Sequence, residues 1–194
     1  RAWIERFAGP LPTGGAVLDA GCGAGEPMAR ALIDRGFAVT GIDISQRMIA
    51  LAQQKNITNS RFQLADAEHL PFADRTFDLA AAITVLEFVS NPVRVVSEMV
   101  RCTRKPGGML ILGVLNRWSV YNQRRKRRTA SLHASANLFS PDEMRDLLQP
   151  FGAAVVRVAG FVPRRYTFIW LSPLLEWIGR LVGDQHGAFL AARV

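Results

Sequence analysis

The run FDLAAAITVL, residues 77–86, is apolar at nearly every position, so it cannot lie with one face in water. Strands of that kind belong inside parallel sheets, with helices covering both sides. The neighbouring segments agree. AVLDAG (16–21), FAVTGID (37–43), RFQLADA (61–67) and MLILGVL (109–115) are further strand-like runs. Helical patterns separate them over about 26–35, over SQRMIALAQQKN with Met48, Ile49 and Leu51 on its apolar side, and over about 91–104, before Pro106-Gly107-Gly108. Such alternation predicts an α/β domain, doubly wound about a parallel sheet. The chain has 194 residues, 49% of them hydrophobic, enough for one well-cored domain and hardly enough for two.

The pattern weakens after Asn116, and residues 117–138 read as an irregular, basic stretch. FSPDEMRDLL then restarts a helix: Ser140 is a good N-cap, Glu143 completes a capping box, and Phe139 can staple onto Met144. AAVVRVAGFV (153–162) and HGAFLAARV (186–194) predict two late strands, with a short helix opening at Ser172-Pro173. Leu174, Leu175, Ile178, Leu181 and Val182 share one face of that helix. Such a face is either core or a greasy lid over a lipid-like acceptor.

Charge divides the chain. Residues 1–110 hold 12 Lys/Arg against 11 Asp/Glu, whereas residues 111–194 hold 12 against 5. Much of the excess is Arg124-Arg125-Lys126-Arg127-Arg128, which Arg117, Arg164 and Arg165 could enlarge. The second half therefore decides which anions the protein meets: an anionic small substrate, an anionic membrane surface or RNA phosphates. Aromatic residues for base stacking are missing inside the run, which disfavours nucleic acid. No apolar stretch approaches the ~20 residues that span a bilayer. Cys22 and Cys102 show neither metal nor disulfide spacing, so a cytoplasmic setting is expected. The chain opens at Arg1 without methionine, and its natural N-terminus is expected upstream.

VLDAGCGAGE (17–26) carries the functional information. A dinucleotide site needs G-x-G-x-x-G, with pyrophosphate on the helix N-terminus. Here the spacing is Gly21-x-Gly23-x-Gly25, and Glu26 stands where the third glycine would be. A carboxylate there repels a diphosphate, and the Lys-Ser/Thr of a triphosphate loop is absent. Asp43 ends the second strand, where an acidic side chain can take both hydroxyls of a ribose. Asp66-Ala67 ends the third strand, where a carboxylate can accept from an adenine amino group, and Leu86-Glu87 follows the fourth. Together these point to adenosine without phosphate, bearing a cationic tail for Asp19 to attract. S-adenosylmethionine fits that description.

On these residues the chain resembles the class I S-adenosylmethionine-dependent methyltransferases, and most of all the group that includes the ubiquinone/menaquinone-biosynthesis enzymes. VLDAGCGAG, VTGIDIS, ADAEHLPF, FDLAAAITVLEFV and RCTRKPGGMLILGVLN occur in that family's order across residues 13–115. The resemblance implies a Rossmann-like, seven-stranded, mostly parallel sheet whose last strand is antiparallel. It implies that Gly21, Cys22, Gly23 and Gly25 let the backbone approach the methionine part, that Asp19 orients its ammonium and that Asp43 binds the ribose. Ile44 and Met48 would pack on the adenine faces, Asp66 and Ala67 would read its edge, and the main chain at Ile83-Thr84 would approach the amino-acid moiety. Residues 13–115 would then form the cofactor half and 116–194 the acceptor-covering half of a single domain.

A sulfonium is already a good electrophile, so the protein's task is to hold a nucleophile in line with the S–methyl bond. Candidates for a general base are His133, in the segment expected to cover the acceptor, then Tyr121, then Glu87. No metal cluster is expected, because His69, His133 and His186 are scattered. TVLEF replaces the N-P-P-Y type of tetrapeptide after the fourth strand, which argues against amino-methylation of DNA or glutamine. A small-molecule acceptor is the main expectation. An RNA methyltransferase using residues 124–128, or a domain that binds the cofactor without transfer, are the alternatives.

Overall fold

The computed structural model describes residues 14–127, 132–160 and 183–194. Seven strands form one sheet: β1 Ala16–Ala20, β2 Ala38–Asp43, β3 Ser60–Leu64, β4 Leu79–Ile83, β5 Met109–Leu115, β6 Val155–Ala159 and β7 Phe189–Arg193. Their order is β3-β2-β1-β4-β5-β7-β6. β1 to β5 pair in parallel, and β7 enters antiparallel between β5 and β6. Five helices accompany the described strands: α1 Met28–Ile33, α2 Gln46–Gln54, α3 Pro92–Cys102, α4 Val120–Lys126 and α5 Pro141–Leu148.

Successive strand residues point to opposite faces, and both faces are buried. Val17, Leu79 and Ile111 join Leu32 of α1 and Ile49 of α2 in one core. Their chain neighbours Leu18, Ala80 and Leu112 join Val95, Val96 and Met99 of α3, with Met144 and Leu148 of α5, in the other. This two-sided burial explains the unbroken apolar run from which the fold was expected. The winding reverses between β1 and β4, which opens a crevice at their carboxyl ends, and Gly21–Gly25 turns directly above it.

Several boundaries differ from expectation. The strand expected over 77–86 is Leu79–Ile83: Phe77 makes only an isolated bridge to Thr103, and Thr84 leaves the strand at φ +55°. The helix expected over 26–35 is Met28–Ile33, and the two late strands are likewise shorter at their ends. Residues 117–138, expected to be irregular, contain α4 and a 3-10 turn, Leu132–Ser135. Helix α4 carries almost no apolar stripe. It is tethered instead by Asn122, whose amide nitrogen donates to the carbonyls of Asn116 (3.0 Å) and Ala188 (2.7 Å). Three cations also occupy its last turn, where the helix dipole favours them. The capping box of α5 is formed as expected, with Ser140 accepting from Glu143 N and donating its own N–H to Glu143 Oε2. The helix expected at Ser172-Pro173, its apolar face, and Arg164 and Arg165 lie outside the described residues.

Candidate cofactor and acceptor site

A cavity of about 560 Å³ opens at the carboxyl ends of β1 and β4. Asp19, Gly21, Cys22, Gly23, Ile83 and Thr84 line it, all of them expected at the site, together with Glu26, Pro27 and, from α1, Met28, Arg30 and Ala31. The turn is built by main chain: the N–H groups of Gly21 and Cys22 both donate to the Ile42 carbonyl at 2.8 Å. Gly21 must be glycine, since at φ +76° an added Cβ would stand 2.2 Å from Val85 Cγ2. Gly23 differs. At φ +53° its added Cβ would meet no atom within 4 Å, because it faces the cavity. Gly25 packs beside Phe62 and does not line the cavity.

Asp19 is only 2% exposed, and its Oδ2 has no hydrogen-bond partner. Burial first, and the Asp43 charge second, push its pKa up to about 7. An unpaired buried carboxyl at the wall of a cavity either keeps its proton or needs a cation beside it. The same carboxylate, with Asp43, adds to the burial that raises the Cys22 thiol to about 12, so that sulfur is no nucleophile. Asp43 is held by two amides: Gly23 N donates to its Oδ2 (2.9 Å) and Ser45 N to its Oδ1 (2.8 Å). Each oxygen keeps a second lone pair for a diol.

Ile44 is 77% exposed and Met48 38%, two apolar side chains left in water at the mouth of β2. Asp66 accepts from Glu68 N (2.9 Å) through Oδ1, while Oδ2 lies 3.6 Å from His69 Nδ1. Ala67 is half-buried against the α3-side core. Asp43, Ile44, Met48, Asp66 and Ala67 lie beyond the cavity wall, along the tips of β2 and β3. Thr84 is a β-branched residue in the left-handed region, an outlier of the kind that gathers at functional sites.

The three base candidates separate. Glu87 is fully buried, its Oε1 accepts from Leu115 N, and its carbonyl accepts from Asn137 N (2.8 Å). Burial raises its pKa to about 7, against the lowering effect of the main-chain N–H groups of Glu87 itself and of Leu115. It braces β4 to β5 and to the 137 loop. His133 and Tyr121 meet at Arg125: one guanidinium nitrogen stands 2.5 Å from His133 Nε2, and the group lies 5.3 Å over the Tyr121 ring. Arginine only donates, so His133 turns a lone pair toward it. Burial and the Arg125 charge hold the imidazole below its ordinary pKa. His133 also meets Phe88 edge-on at 6.2 Å. None of the three lines the cavity.

Two cations of the basic run have partners within the chain. Arg125 faces His133, and Lys126 Nζ donates to the Ala136 carbonyl (2.8 Å), pinning the 132–136 turn to α4. Arg117 is occupied by the Leu138 carbonyl and by Glu143 at 2.6 Å. Arg124, Lys126 and Arg127 are exposed, and Arg128 lies outside the described residues. Arg30, the one cation among the described cavity-lining residues, was not expected at the site. Nothing in a single sequence marks which face of a two-turn helix meets a cavity. Its contact with Glu26 is loose, 3.8 Å, because Lys55 holds that carboxylate at 2.9 Å and keeps it below its ordinary pKa.

Residues 18–112 match a family model described as a methyltransferase domain. The 27-O-demethylrifamycin SV methyltransferase of Amycolatopsis mediterranei is 38% identical over 116 residues, 56% of this chain and 42% of that protein. The ubiquinone biosynthesis O-methyltransferase of Coxiella burnetii is 35% identical over 104 residues, 52% of this chain and 44% of that protein. The phosphatidylethanolamine N-methyltransferase of Cereibacter sphaeroides is 39% identical over 104 residues, 51% of this chain and 50% of that protein. The chain thus spans about half the length of the curated relatives it matches. An S-adenosylmethionine-dependent methyltransferase from Mesorhizobium loti shares the fold, with TM-score 0.71 at 18% identity over 100% of this chain and 97% of that one. So does the Haemonchus contortus phosphoethanolamine N-methyltransferase 2 solved with S-adenosyl-L-methionine, with TM-score 0.71 at 17% identity over 99% of this chain and 50% of that one.

Proposed function

Because this chain belongs to the class I S-adenosylmethionine-dependent methyltransferases, we propose that it binds S-adenosylmethionine beside Gly23 and passes the methyl group to a small-molecule acceptor, leaving S-adenosylhomocysteine. The observation that carries this reading is the unpaired Asp19 oxygen, buried at a cavity whose glycine wall leaves room for a ligand. Asp19 takes the ammonium of the methionine end, and Arg30 takes its carboxylate. Gly21, Cys22, Gly23, Gly25 and the main chain at Ile83-Thr84 shape that half of the site. Asp43 takes the ribose hydroxyls, Ile44 and Met48 cover the adenine faces, and Asp66 with Ala67 reads the adenine edge.

The bound cofactor supplies an electrophilic methyl group. The protein's part is orientation, which is worth roughly 7–11 kcal/mol of barrier when a nucleophile is held in line. Residues 116–194 cover the acceptor, and the Arg125, Tyr121 and His133 cluster belongs to that side. His133 serves as a base only when Arg125 releases its Nε2. Glu87 acts as a brace from within. The relatives named for rifamycin, ubiquinone and phosphatidylethanolamine chemistry support a small or lipid-like acceptor. An RNA substrate is disfavoured because Arg125 and Lys126 of the basic run are already engaged by His133 and by the Ala136 carbonyl. Arg124 and Arg127 remain for an anionic acceptor or an anionic membrane surface; no helix among the described residues is long and apolar enough to cross a membrane. Cys22 and Cys102 are both buried and unpaired, which suits a cytoplasmic setting.

The test is calorimetric titration with S-adenosylhomocysteine, followed by transfer of labelled methyl groups to cell-extract fractions separated into lipid, polar metabolite, protein and RNA. Binding with label in the lipid or polar-metabolite fraction is expected. Absence of binding overturns the cofactor assignment; binding with label only in RNA overturns the acceptor assignment. Binding without any transfer shows a cofactor-binding domain.

A further inference from the structure

The connection from β3 to β4, residues 65–78, contains no helix, although it carries the residues proposed to read adenine. Its later part is clipped to α3. Leu70 N donates to Glu98 Oε2 (2.9 Å), and Arg101 donates to the carbonyls of Leu70 (3.1 Å) and Phe72 (2.8 Å). At the Asp66 end, Ala65 N donates to the Asp43 carbonyl (3.2 Å) and His69 N to the Asp66 carbonyl (3.1 Å), while the link to the α3 side runs through Glu68. Glu68 N donates to Asp66 Oδ1 at 2.9 Å. The Glu68 carboxylate reaches across to the segment entering α3, where Oε1 accepts from Ser90 N (2.8 Å) and Asn91 N (2.9 Å). Its carbonyl accepts from Arg94 Nε at 3.2 Å. Asn91 is the N-cap of α3, so the carboxylate satisfies main-chain donors that the helix start leaves free and sits at the favourable end of the helix dipole.

We infer that Glu68 is a positioning residue: it fixes the aim of Asp66 at the adenine edge and ties that aim to the 87–91 segment, which carries Glu87 and Phe88 toward the acceptor side. The inference rests on the proposed adenine role of Asp66. A carboxylate on an irregular connection discriminates between donor and acceptor at the adenine edge only when it is held in one orientation. With Glu68 N on one lone pair of Oδ1 and His69 Nδ1 3.6 Å from Oδ2, the carboxylate is held in one orientation and keeps lone pairs to accept from an amino group. Arg101 and Glu98 already secure the connection as a whole. Loss of the Glu68 carboxylate therefore loosens the adenine-reading turn specifically.

The experiment compares affinity for S-adenosylhomocysteine with affinity for S-inosylhomocysteine, in which an oxo group replaces the 6-amino group. Wild type is expected to prefer the adenosine compound by roughly 10–100-fold, the worth of one charge-assisted hydrogen bond. Glu68→Ala should reduce that preference to a few-fold, mostly by weakening the adenosine compound. Glu68→Gln, whose carbonyl can accept the same two N–H groups, should retain it. Where Glu68→Ala does not fold, Glu68→Asp withdraws the carboxylate from Ser90 and Asn91 and tests the same ratio. Equal weakening of both ligands, with the preference intact, overturns the positioning role. A wild type without preference overturns the Asp66 assignment itself, and the inference falls with it.

Discussion

Replacing Asp19 by asparagine should raise stability and weaken cofactor binding, two effects of opposite sign from one atom. The buried carboxyl is displaced from 3.8 to about 7. A shift of roughly three units at ~1.4 kcal/mol per unit means that ionising Asp19 in the apo protein costs about 4 kcal/mol of stability. The folded-state pKa lies above the unfolded one, so folding favours the proton. That contribution is complete below about pH 4 and is lost as pH rises to about 7. An asparagine side chain never ionises, but its amide leaves polar atoms to satisfy, at about 1–3 kcal/mol. The net gain at pH 8 should therefore be about 1–3 kcal/mol, turning into a loss of about 1–3 kcal/mol near pH 4, where the carboxyl is neutral and only the cost of the amide remains. Urea unfolding from pH 4 to 8 measures it. Calorimetry with S-adenosylhomocysteine should meanwhile show roughly 10–100-fold weaker binding for the variant. In the wild type, affinity should fall about tenfold per pH unit below 7, because the carboxylate must shed its proton to meet the ammonium. A variant that binds normally and is no more stable at pH 8 would refute the reasoning.

Two glycines of one turn should respond differently to alanine. Gly21→Ala pushes a methyl against Val85 at φ +76° and should cost about 2–4 kcal/mol in thermal unfolding. Gly23→Ala should cost only about 1 kcal/mol yet lose most S-adenosylhomocysteine binding, because its methyl enters the cavity; normal binding would count against the site. Glu87→Ala, which leaves Leu115 N unpaired, should destabilise by about 1–3 kcal/mol. Glu87→Gln keeps that acceptor. Its stability should also lack the wild type's fall between the ordinary carboxyl range and pH 7, where a raised pKa makes folding favour the proton. Denaturation at pH 5 and 8 separates the two variants.

The sheet was legible because its physics is local. A strand buried on both faces must be apolar at consecutive positions, and Val17-Leu18 and Ile111-Leu112 are consecutive pairs that serve opposite cores. Helix α5 was legible through its cap, since Ser140 and Glu143 satisfy each other within one turn. Helix α4 was not. VYNQRRK has no apolar stripe to find, and the groups that hold it, Asn116, Ala188, Ala136 and His133, lie 6 to 66 residues away. Periodicity reads what a segment buries and is blind to what tethers it.

The same division runs through the site. Asp19, Gly21 and Gly23 stand out in the sequence because a strand tip and the turn after it lie within five residues, and all three line the cavity. The apolar run carries Thr84 into the strand, since an apolar count treats the backbone as uniform. In the structure its N–H still donates to Gly113 O (2.7 Å), as a ladder residue would, while its φ has already turned to +55°. The strand therefore ends by rotation at one residue, with no break in composition, and that rotation is what brings the β4 tip into the cavity wall beside Gly21. The contacts that hold the surrounding loops offer no such local signature. Glu87 acts on Leu115, Arg117 on Glu143 and Glu68 on Ser90, each across 22 to 28 residues. Turn chemistry near the glycines joins residues that stand together in the sequence, whereas Glu87, Arg117 and Glu68 work on distant partners, and those only the folded chain displays.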